Sequence, residues 1–67
     1  MFREGTAANE VYNQVKAIGA GCVATLPLGE YRADHWRAHL GKVSERTGWR
    51  FKTFVGTDNT INVYRVL

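Results

Sequence analysis

The chain has 67 residues, 45% of them hydrophobic, with a formal net charge of +3 at pH 7. This length leaves room for one hydrophobic core, so we expect a single domain over residues 1–67, and no apolar run approaches the ~18 residues that cross a bilayer. A lone cysteine excludes an internal disulfide, and the opening Met1-Phe2-Arg3-Glu4 is unlike a signal peptide, so we expect a cytoplasmic protein. Because so short a chain buries only about 60% of its unfolded surface, a homodimer would add stability.

The first predicted element is a helix from about Ala7 to Ile18. Thr6 is placed to cap its beginning, and Gly19 is placed to end it. Its apolar positions recur at i, i+4 and i+7, which predicts one buried side formed by Val11, Val15 and Ile18.

A short apolar run from Cys22 to Leu26 predicts the first strand, ended by Pro27. Apolar side chains alternate to both faces of this run, which is typical of an internal strand. The same pattern predicts that the Cys22 thiol is a small buried hydrophobe rather than a nucleophile.

The second predicted helix spans roughly Tyr31 to Thr47 and ends at Gly48. Its apolar positions follow spacings of 3, 4, 3 and 4 and comprise Ala33, Trp36, Leu40, Val43 and Thr47. The sequence allows two positions for the first residue of this helix. Glu30 favours a helix that begins near Tyr31, whereas Asp34 would cap a shorter helix. Gly41 leaves a helix-turn-helix break as an alternative, but the unbroken apolar side favours one continuous helix.

After Gly48 the hydrophobic period changes from 3.6 to 2, which predicts a β-hairpin around the turn at Gly56–Asn59. A three- or five-residue loop, or a bulge at Gly56, would gather one apolar face from Trp49, Phe51, Val55, Ile61, Val63 and Leu67. We therefore predict an α+β fold of the order helix-strand-helix-β-hairpin, with a small three-stranded sheet backed by two helices on one face. A winged helix-turn-helix is the alternative fold.

The positive charge is concentrated in the second half of the chain. Residues 1–30 contain two Lys or Arg against three acids, whereas residues 31–67 contain seven against three. Such asymmetry indicates a surface that meets an anionic partner, most often nucleic acid. A solvated surface that keeps the protein soluble is the alternative.

Two groups of side chains remain free once the core positions are assigned. On the second helix a basic row with spacings of 3, 4, 3 and 4 comprises Arg32, His35, His39, Lys42 and Arg46, and Arg37 lies nearby. Such a row would follow phosphate oxygens, and its histidines would strengthen anion binding as the pH falls through about 6.5.

The second group is the outer face of the hairpin, which comprises Arg50, Lys52, Phe54, Asn62 and Tyr64. Cations interleaved with aromatic rings are typical of nucleic-acid-binding sheets, because rings stack on bases while Lys and Arg neutralise phosphates. Alternatively, Phe54 and Tyr64 pair across the strands or cover a dimer interface.

Other chemistry finds little support in the sequence. His35 and His39 at i, i+4 supply two zinc ligands where three or four are needed. Gly19-Ala20-Gly21 lacks the spacing and the lysine of a phosphate-binding loop, and no acids are paired for general acid and base catalysis. We expect no enzyme, no catalytic residues, no metal site and no cofactor.

The second half, from Tyr31-Arg32-Ala33 through Gly48-Trp49-Arg50-Phe51-Lys52-Thr53 to Val63-Tyr64-Arg65-Val66, resembles a pattern common among very small bacteriophage proteins. This resemblance implies a phage-encoded accessory protein that binds DNA or a host protein. The order strand, helix, hairpin is also similar to the C-terminal domain of bacterial translation initiation factor three and to archaeal Alba proteins, which have an additional first strand.

We therefore predict a small basic protein that contacts duplex DNA, rather than RNA, mainly through phosphates. The predicted binding residues are Arg32, His35, Arg37, His39, Lys42, Arg46, Arg50, Lys52, Phe54 and Tyr64. The alternative is a phage-encoded protein that modulates or inhibits a host protein, which could be a transcription protein, a nuclease or a component of a defence system. Phe54 and Tyr64 would then lie at the centre of its interface.

Overall fold

A computed structural model describes residues 2–67. It contains α1 (Ala7–Val15), β1 (Val23–Pro27), α2 (Ala33–Thr47), β2 (Phe51–Val55) and β3 (Thr60–Arg65). The strands form one antiparallel sheet in the order β1-β3-β2. Both helices pack on one face of this sheet, which confirms the predicted α+β class and element order. Neither helix within residues 2–67 has the length and apolar character that a bilayer crossing needs.

The core lies between the two helices and the central strand. Helix α1 contributes two buried side chains, the turn after it one, α2 three and β3 two, so the core consists of Val11, Val15, Ile18, Trp36, Leu40, Val43, Ile61 and Val63. Partly buried side chains of β1 and β2 pack around its rim. The predicted apolar side of each helix is therefore the side that it buries.

Helix α1 begins as predicted but ends earlier. The Thr6 hydroxyl accepts a hydrogen bond from the Asn9 N–H at 3.2 Å, which satisfies one of the free donors of the first turn. The helix ends at Val15 rather than at Ile18. A tight turn follows, in which the Ile18 N–H bonds the Val15 carbonyl at 3.0 Å, and this turn still delivers Ile18 to the core.

The prediction of an internal first strand is wrong. Within residues 2–67, strand β1 pairs only with β3 and lies at the edge of the sheet. Because helices cover one face only, Ala24 and Leu26 pack on the core while Val23 is 60% exposed. Cys22 precedes the strand and is exposed, so it is not the buried hydrophobe that the apolar run suggested.

Helix α2 is continuous through Gly41, without the break that a split helix requires. It begins at Ala33 with Arg32 as the N-cap residue, so Asp34 lies in the first turn instead of capping a shorter helix. Its other end is Gly48, which has a left-handed φ of 82° and whose N–H bonds the Ser44 carbonyl.

Gly41 within α2 and Gly48 directly after it provide a matched test of backbone conformation. A Cβ at Gly48 or at Gly41 would meet no atom within 4 Å, so only the backbone angles distinguish the two positions. We expect Gly48→Ala to cost about 1–2 kcal/mol of unfolding free energy, because φ is positive there. Gly41→Ala should instead add about 0.5–1 kcal/mol. Urea denaturation of both variants checks this, and equal signs would contradict it.

The hairpin has the predicted register. Val55 is opposite Ile61, Thr53 opposite Val63 and Phe51 opposite Arg65, so these side chains share the face that meets the helices. The Gly56 N–H bonds the Thr60 carbonyl, which leaves a three-residue loop with Asp58 and Asn59 at positive φ.

Not every member of the predicted apolar face is covered. Val55 is 58% exposed and Leu67 is 62% exposed, because neither lies under a helix. The hydrophobic alternation therefore indicates the correct face of the hairpin, but it overstates how far along that face the core extends.

Candidate nucleic-acid interface

The row of basic residues on α2 lies along the side of the helix that faces α1. We call this row the basic flank; it comprises Arg32, His35, His39, Lys42 and Arg46. Its position follows from the burial of Trp36, Leu40 and Val43, which turns the adjoining side of α2 toward α1. Arg32, His35, Lys42 and Arg46 are exposed, whereas His39 is half-buried.

The end of the basic flank forms a cationic groove with the beginning of α1. This groove has a volume of about 440 Å³ and is lined by Arg3, Lys42 and Arg46 together with Phe2, Thr6, Ala8 and Glu45. The Arg46 guanidinium lies over the Phe2 ring, 5.4 Å from its centroid. Three cations thus oppose one acid beside the positive end of the α1 dipole. No sequence pattern points to Arg3, because only the packing of α1 on α2 brings it there.

Arg37 does not join the basic flank. It lies on the other side of α2, where its Nε donates a hydrogen bond to the Thr53 hydroxyl at 3.1 Å. The acids Asp34 and Glu45 are exposed on the outer side of the helix and separate Arg37 from Lys42. Arg37 therefore connects α2 to β2 and does not extend the row of cations.

His39 is held by packing rather than presented to solvent. Its ring meets the Tyr31 ring edge-on with 6.4 Å between centroids, and within residues 2–67 its buried Nδ1 has no hydrogen-bond partner. Burial, with smaller contributions from Lys42 and His35, lowers the pKa of His39 below its ordinary value of 6.5. A half-buried imidazole with a lowered pKa carries less positive charge near pH 6.5 than the sequence analysis expects, and its contact with phosphate stays a prediction.

On the α1 side, a hydrogen bond closes the space beyond His39. The Tyr31 hydroxyl donates to the Glu10 carboxylate at 2.7 Å. This bond, more than burial, raises the pKa of Tyr31 above its ordinary value of 10.0. The middle of the basic flank is thus covered by an aromatic ring and faced by an acid, which leaves its positive charge concentrated toward Lys42 and Arg46.

We expect the stability of the protein to fall as the pH falls below about 6.5. His39 has a lowered pKa only in the folded state, so the unfolded chain takes up its proton first, and the loss is complete below the folded pKa. Proton NMR titration should show His39 titrating below 6.5, and His39→Gln should remove this part of the pH dependence. An unshifted His39 titration would contradict the prediction.

The second predicted group lies on the opposite side of the molecule. Register places Lys52 opposite Tyr64 and Phe54 opposite Asn62, on the face of the sheet that carries no helix. The basic flank and this face therefore do not merge into one patch, although Arg46 and Lys52 are close in sequence. Phe54 is 58% exposed. Among residues 2–67 its ring contacts no other ring, so it does not pair with Tyr64 across the strands.

The remaining aromatic rings are engaged in the fold. Contacts between ring pairs connect Phe2, Tyr12, Trp49 and Phe51 along the side of the core. The Arg65 guanidinium lies over Trp49, 4.3 Å from the ring centroid, and its Nη1 donates to the Ile18 carbonyl at 3.0 Å. Arg65 thus contributes to the net charge of the second half of the chain, but its guanidinium forms contacts within the fold.

A larger cavity lies away from these cations. It has a volume of about 570 Å³ and lies between α1 and the loop that precedes α2, with Glu10 and Glu30 among its lining residues. The two carboxylates make it unsuited to an anionic ligand. No three His, Cys, Asp or Glu side chains within residues 2–67 lie close enough to hold a metal ion.

Comparisons with protein families, with curated proteins and with solved structures find no match to this chain. Its function is therefore inferred from the two surfaces themselves. One is a cationic groove between two helices, and the other is an open sheet face that carries two aromatic rings and a lysine.

Proposed function

We propose that this protein binds nucleic acid and that the basic flank of α2 contacts the phosphates of duplex DNA. The observation that supports this most directly is the groove in which Arg3, Lys42 and Arg46 approach one another from separate parts of the chain. Arg3 and Lys42 are exposed, and within residues 2–67 neither forms an ion pair with an acid. Two unpaired cations beside a third attract a polyanion without first breaking an internal contact.

The dimensions of the basic flank suit a duplex backbone. From Arg32 to Arg46 the helix rises about 21 Å, at about 1.5 Å per residue, whereas each DNA strand carries a phosphate about every 3.4 Å along the axis. Several phosphates therefore lie within reach. Contacts to phosphates position a protein without reading bases, so we expect little sequence preference. Arg37, Arg50 and Lys52 do not take part in this contact, because they lie on other sides of the fold.

We expect the double variant Arg3→Gln and Lys42→Gln to weaken duplex binding and to reduce its salt dependence. Each lost phosphate contact should make the slope of log K against log salt shallower by about one, hence by about two in total. The matched control is Lys16→Gln with Arg50→Gln, which removes the same charge from exposed positions outside the groove. Fluorescence anisotropy with a labelled duplex at several salt concentrations provides the measurement.

Two results would contradict this proposal. If neither variant pair changes the slope, the groove does not contact phosphates. If both pairs change it equally, binding follows net charge rather than the position of the cations.

A second candidate is the protein-binding modulator implied by the resemblance to phage proteins. It is favoured by Phe54, whose ring is 58% exposed beside Lys52 and Tyr64, an arrangement typical of an interface hot spot. A pull-down from nuclease-treated host lysate separates the candidates. A protein partner should survive the nuclease and be lost with Phe54→Ala, whereas partners bridged by nucleic acid should disappear.

A further inference from the structure

The face of the sheet opposite the helices, which we call the outer sheet face, has a regular arrangement. Strand register aligns Val23, Tyr64 and Lys52 in one row across the three strands, and Thr25, Asn62 and Phe54 in the next. Alternate residues of the same strands point to the core, so these side chains are directed away from both helices. Arg50 precedes β2 at the same parity as Lys52 and is also exposed.

The two aromatic rings of this face are available to a ligand. Phe54 is 58% exposed and Tyr64 is half-exposed, and among residues 2–67 neither ring contacts another ring. The aromatic rings on the helix side, in contrast, pack on one another. The strands hold the backbone of Phe54 and Tyr64 in place, so both rings offer a fixed platform to a flat, π-rich group.

Opposite Phe54, on the central strand, lies an oriented polar group. The Thr25 hydroxyl donates to Asn62 Oδ1 at 2.6 Å, which fixes the side-chain amide and leaves its NH₂ as the free part. Within residues 2–67 this NH₂ donates no hydrogen bond. Carbonyl oxygens and ring nitrogens on the edge of an unpaired base are acceptors for such a donor.

Charge and area favour nucleic acid over a second copy of this chain. The three strands contain no acidic residue, whereas Lys52 and Arg50 lie at one margin of the face. Three strands about 4.8 Å apart and five residues long make a face of roughly 240 Å² in projection, which is small for a stable protein interface. The face has the size of a few nucleotides and the charge that their phosphates require.

We propose that the outer sheet face binds two or three unpaired nucleotides, with bases stacked on Phe54 and Tyr64 and phosphates beside Lys52 and Arg50. This inference shares with the proposed function the premise that the partner is nucleic acid. It differs in the surface and in the strand state, since stacking on these rings requires bases that are not paired in a duplex.

The test compares two probes and two neighbouring residues. Anisotropy is measured with a labelled 12-nucleotide single strand of mixed sequence and with the duplex of the same sequence. Phe54→Ala should weaken single-strand binding about tenfold and leave duplex binding unchanged, and Phe54→Trp should preserve it. The matched control is Val55→Ala, because Val55 is also 58% exposed but lies on the opposite face. The double variant Arg3→Gln and Lys42→Gln should instead weaken duplex binding and leave single-strand binding largely unchanged.

The outcomes distinguish the two proposals. Single-strand affinity that depends on Phe54 supports this inference even if the duplex is not bound. Duplex binding alone, or single-strand binding that Phe54→Ala leaves unchanged, overturns it without affecting the basic flank. Equal losses from Phe54→Ala and Val55→Ala also overturn it, as does dimerisation through this face detected by sedimentation and abolished by Phe54→Ala. Thermal melts of each variant confirm that the fold is intact.

Discussion

Trp36→Ala is expected to leave the protein largely unfolded at 25 °C. Trp36 is 2% exposed and belongs to the core formed by both helices and β3. Truncating a buried tryptophan costs about 3–5 kcal/mol, which is comparable to the whole stability that one small core supplies to a chain of this length. Far-UV circular dichroism and the dispersion of the NMR spectrum provide the measurement.

Two controls show whether the lost volume is responsible. Trp36→Phe retains a ring but loses the Nε1 hydrogen bond to the Leu28 carbonyl, a bond of 3.2 Å. That carbonyl also accepts from the Tyr31 N–H, so it keeps a partner, and we expect a folded variant that loses about 1–2 kcal/mol. Phe54→Ala truncates an exposed ring and should change stability by less than about 0.5 kcal/mol. A Trp36→Ala protein with an unchanged melting transition would contradict the packing described above.

Arg65→Met is expected to cost about 2–4 kcal/mol of unfolding free energy, although arginine is usually replaceable on a protein surface. The guanidinium lies over Trp49 and donates hydrogen bonds to two carbonyls, those of Ile18 at 3.0 Å and Leu67 at 2.7 Å. Arg65 thus connects the central strand to the turn after α1 and to the residues that follow β3. Urea denaturation monitored by Trp fluorescence measures the loss.

The contrast with other substitutions makes this prediction specific. Arg65→Lys should restore little stability, because an ammonium group cannot stack on the ring while donating in two directions. Arg50→Met removes the same charge from an exposed side chain that donates a long hydrogen bond, of 3.4 Å, to the neighbouring Trp49 carbonyl. It should change stability by less than about 0.5 kcal/mol. Full stability in Arg65→Lys would show that charge alone matters at this position.

If both proposals hold, this small domain carries two nucleic-acid surfaces on opposite sides. The groove of Arg3, Lys42 and Arg46 would contact a duplex backbone, and the outer sheet face would hold unpaired bases. Such a protein would favour nucleic acid in which paired and unpaired regions adjoin. Comparing a partly single-stranded duplex with each separate probe would reveal this as a gain in affinity that either set of substitutions removes.

The errors of prediction arise where long-range pairing decides the environment. The run Cys22–Leu26 is apolar enough for an internal strand, yet in the part of the chain that the structure describes β1 has a partner, β3, on one side only. Strand order depends on contacts between residues some forty positions apart, such as Val23 and Tyr64. No local pattern of five residues contains that information, so both the edge position and the exposed Cys22 were missed.

The candidate site was predicted in part, for a related reason. Helical periodicity correctly separates Lys42 and Arg46 from the core side of α2, because the angle around a helix axis is a local property. Helical periodicity does not indicate which other element packs against each side of α2. The packing of Tyr31 on His39, the bond from Arg37 to Thr53 and the approach of Arg3 to Lys42 all depend on that neighbour.

The elements that depend on short-range interactions are predictable from the amino-acid sequence. The Thr6 cap, the buried side of α2 through Gly41 and the face assignment of the hairpin follow from spacings of two to four residues. The placement of the α2 cations and the hairpin cations on opposite sides of the molecule, in contrast, depends on tertiary packing. The reason is that β2 joins the sheet with Phe51 and Thr53 toward α2, and strand alternation then directs Lys52 and Phe54 to the face that α2 does not cover.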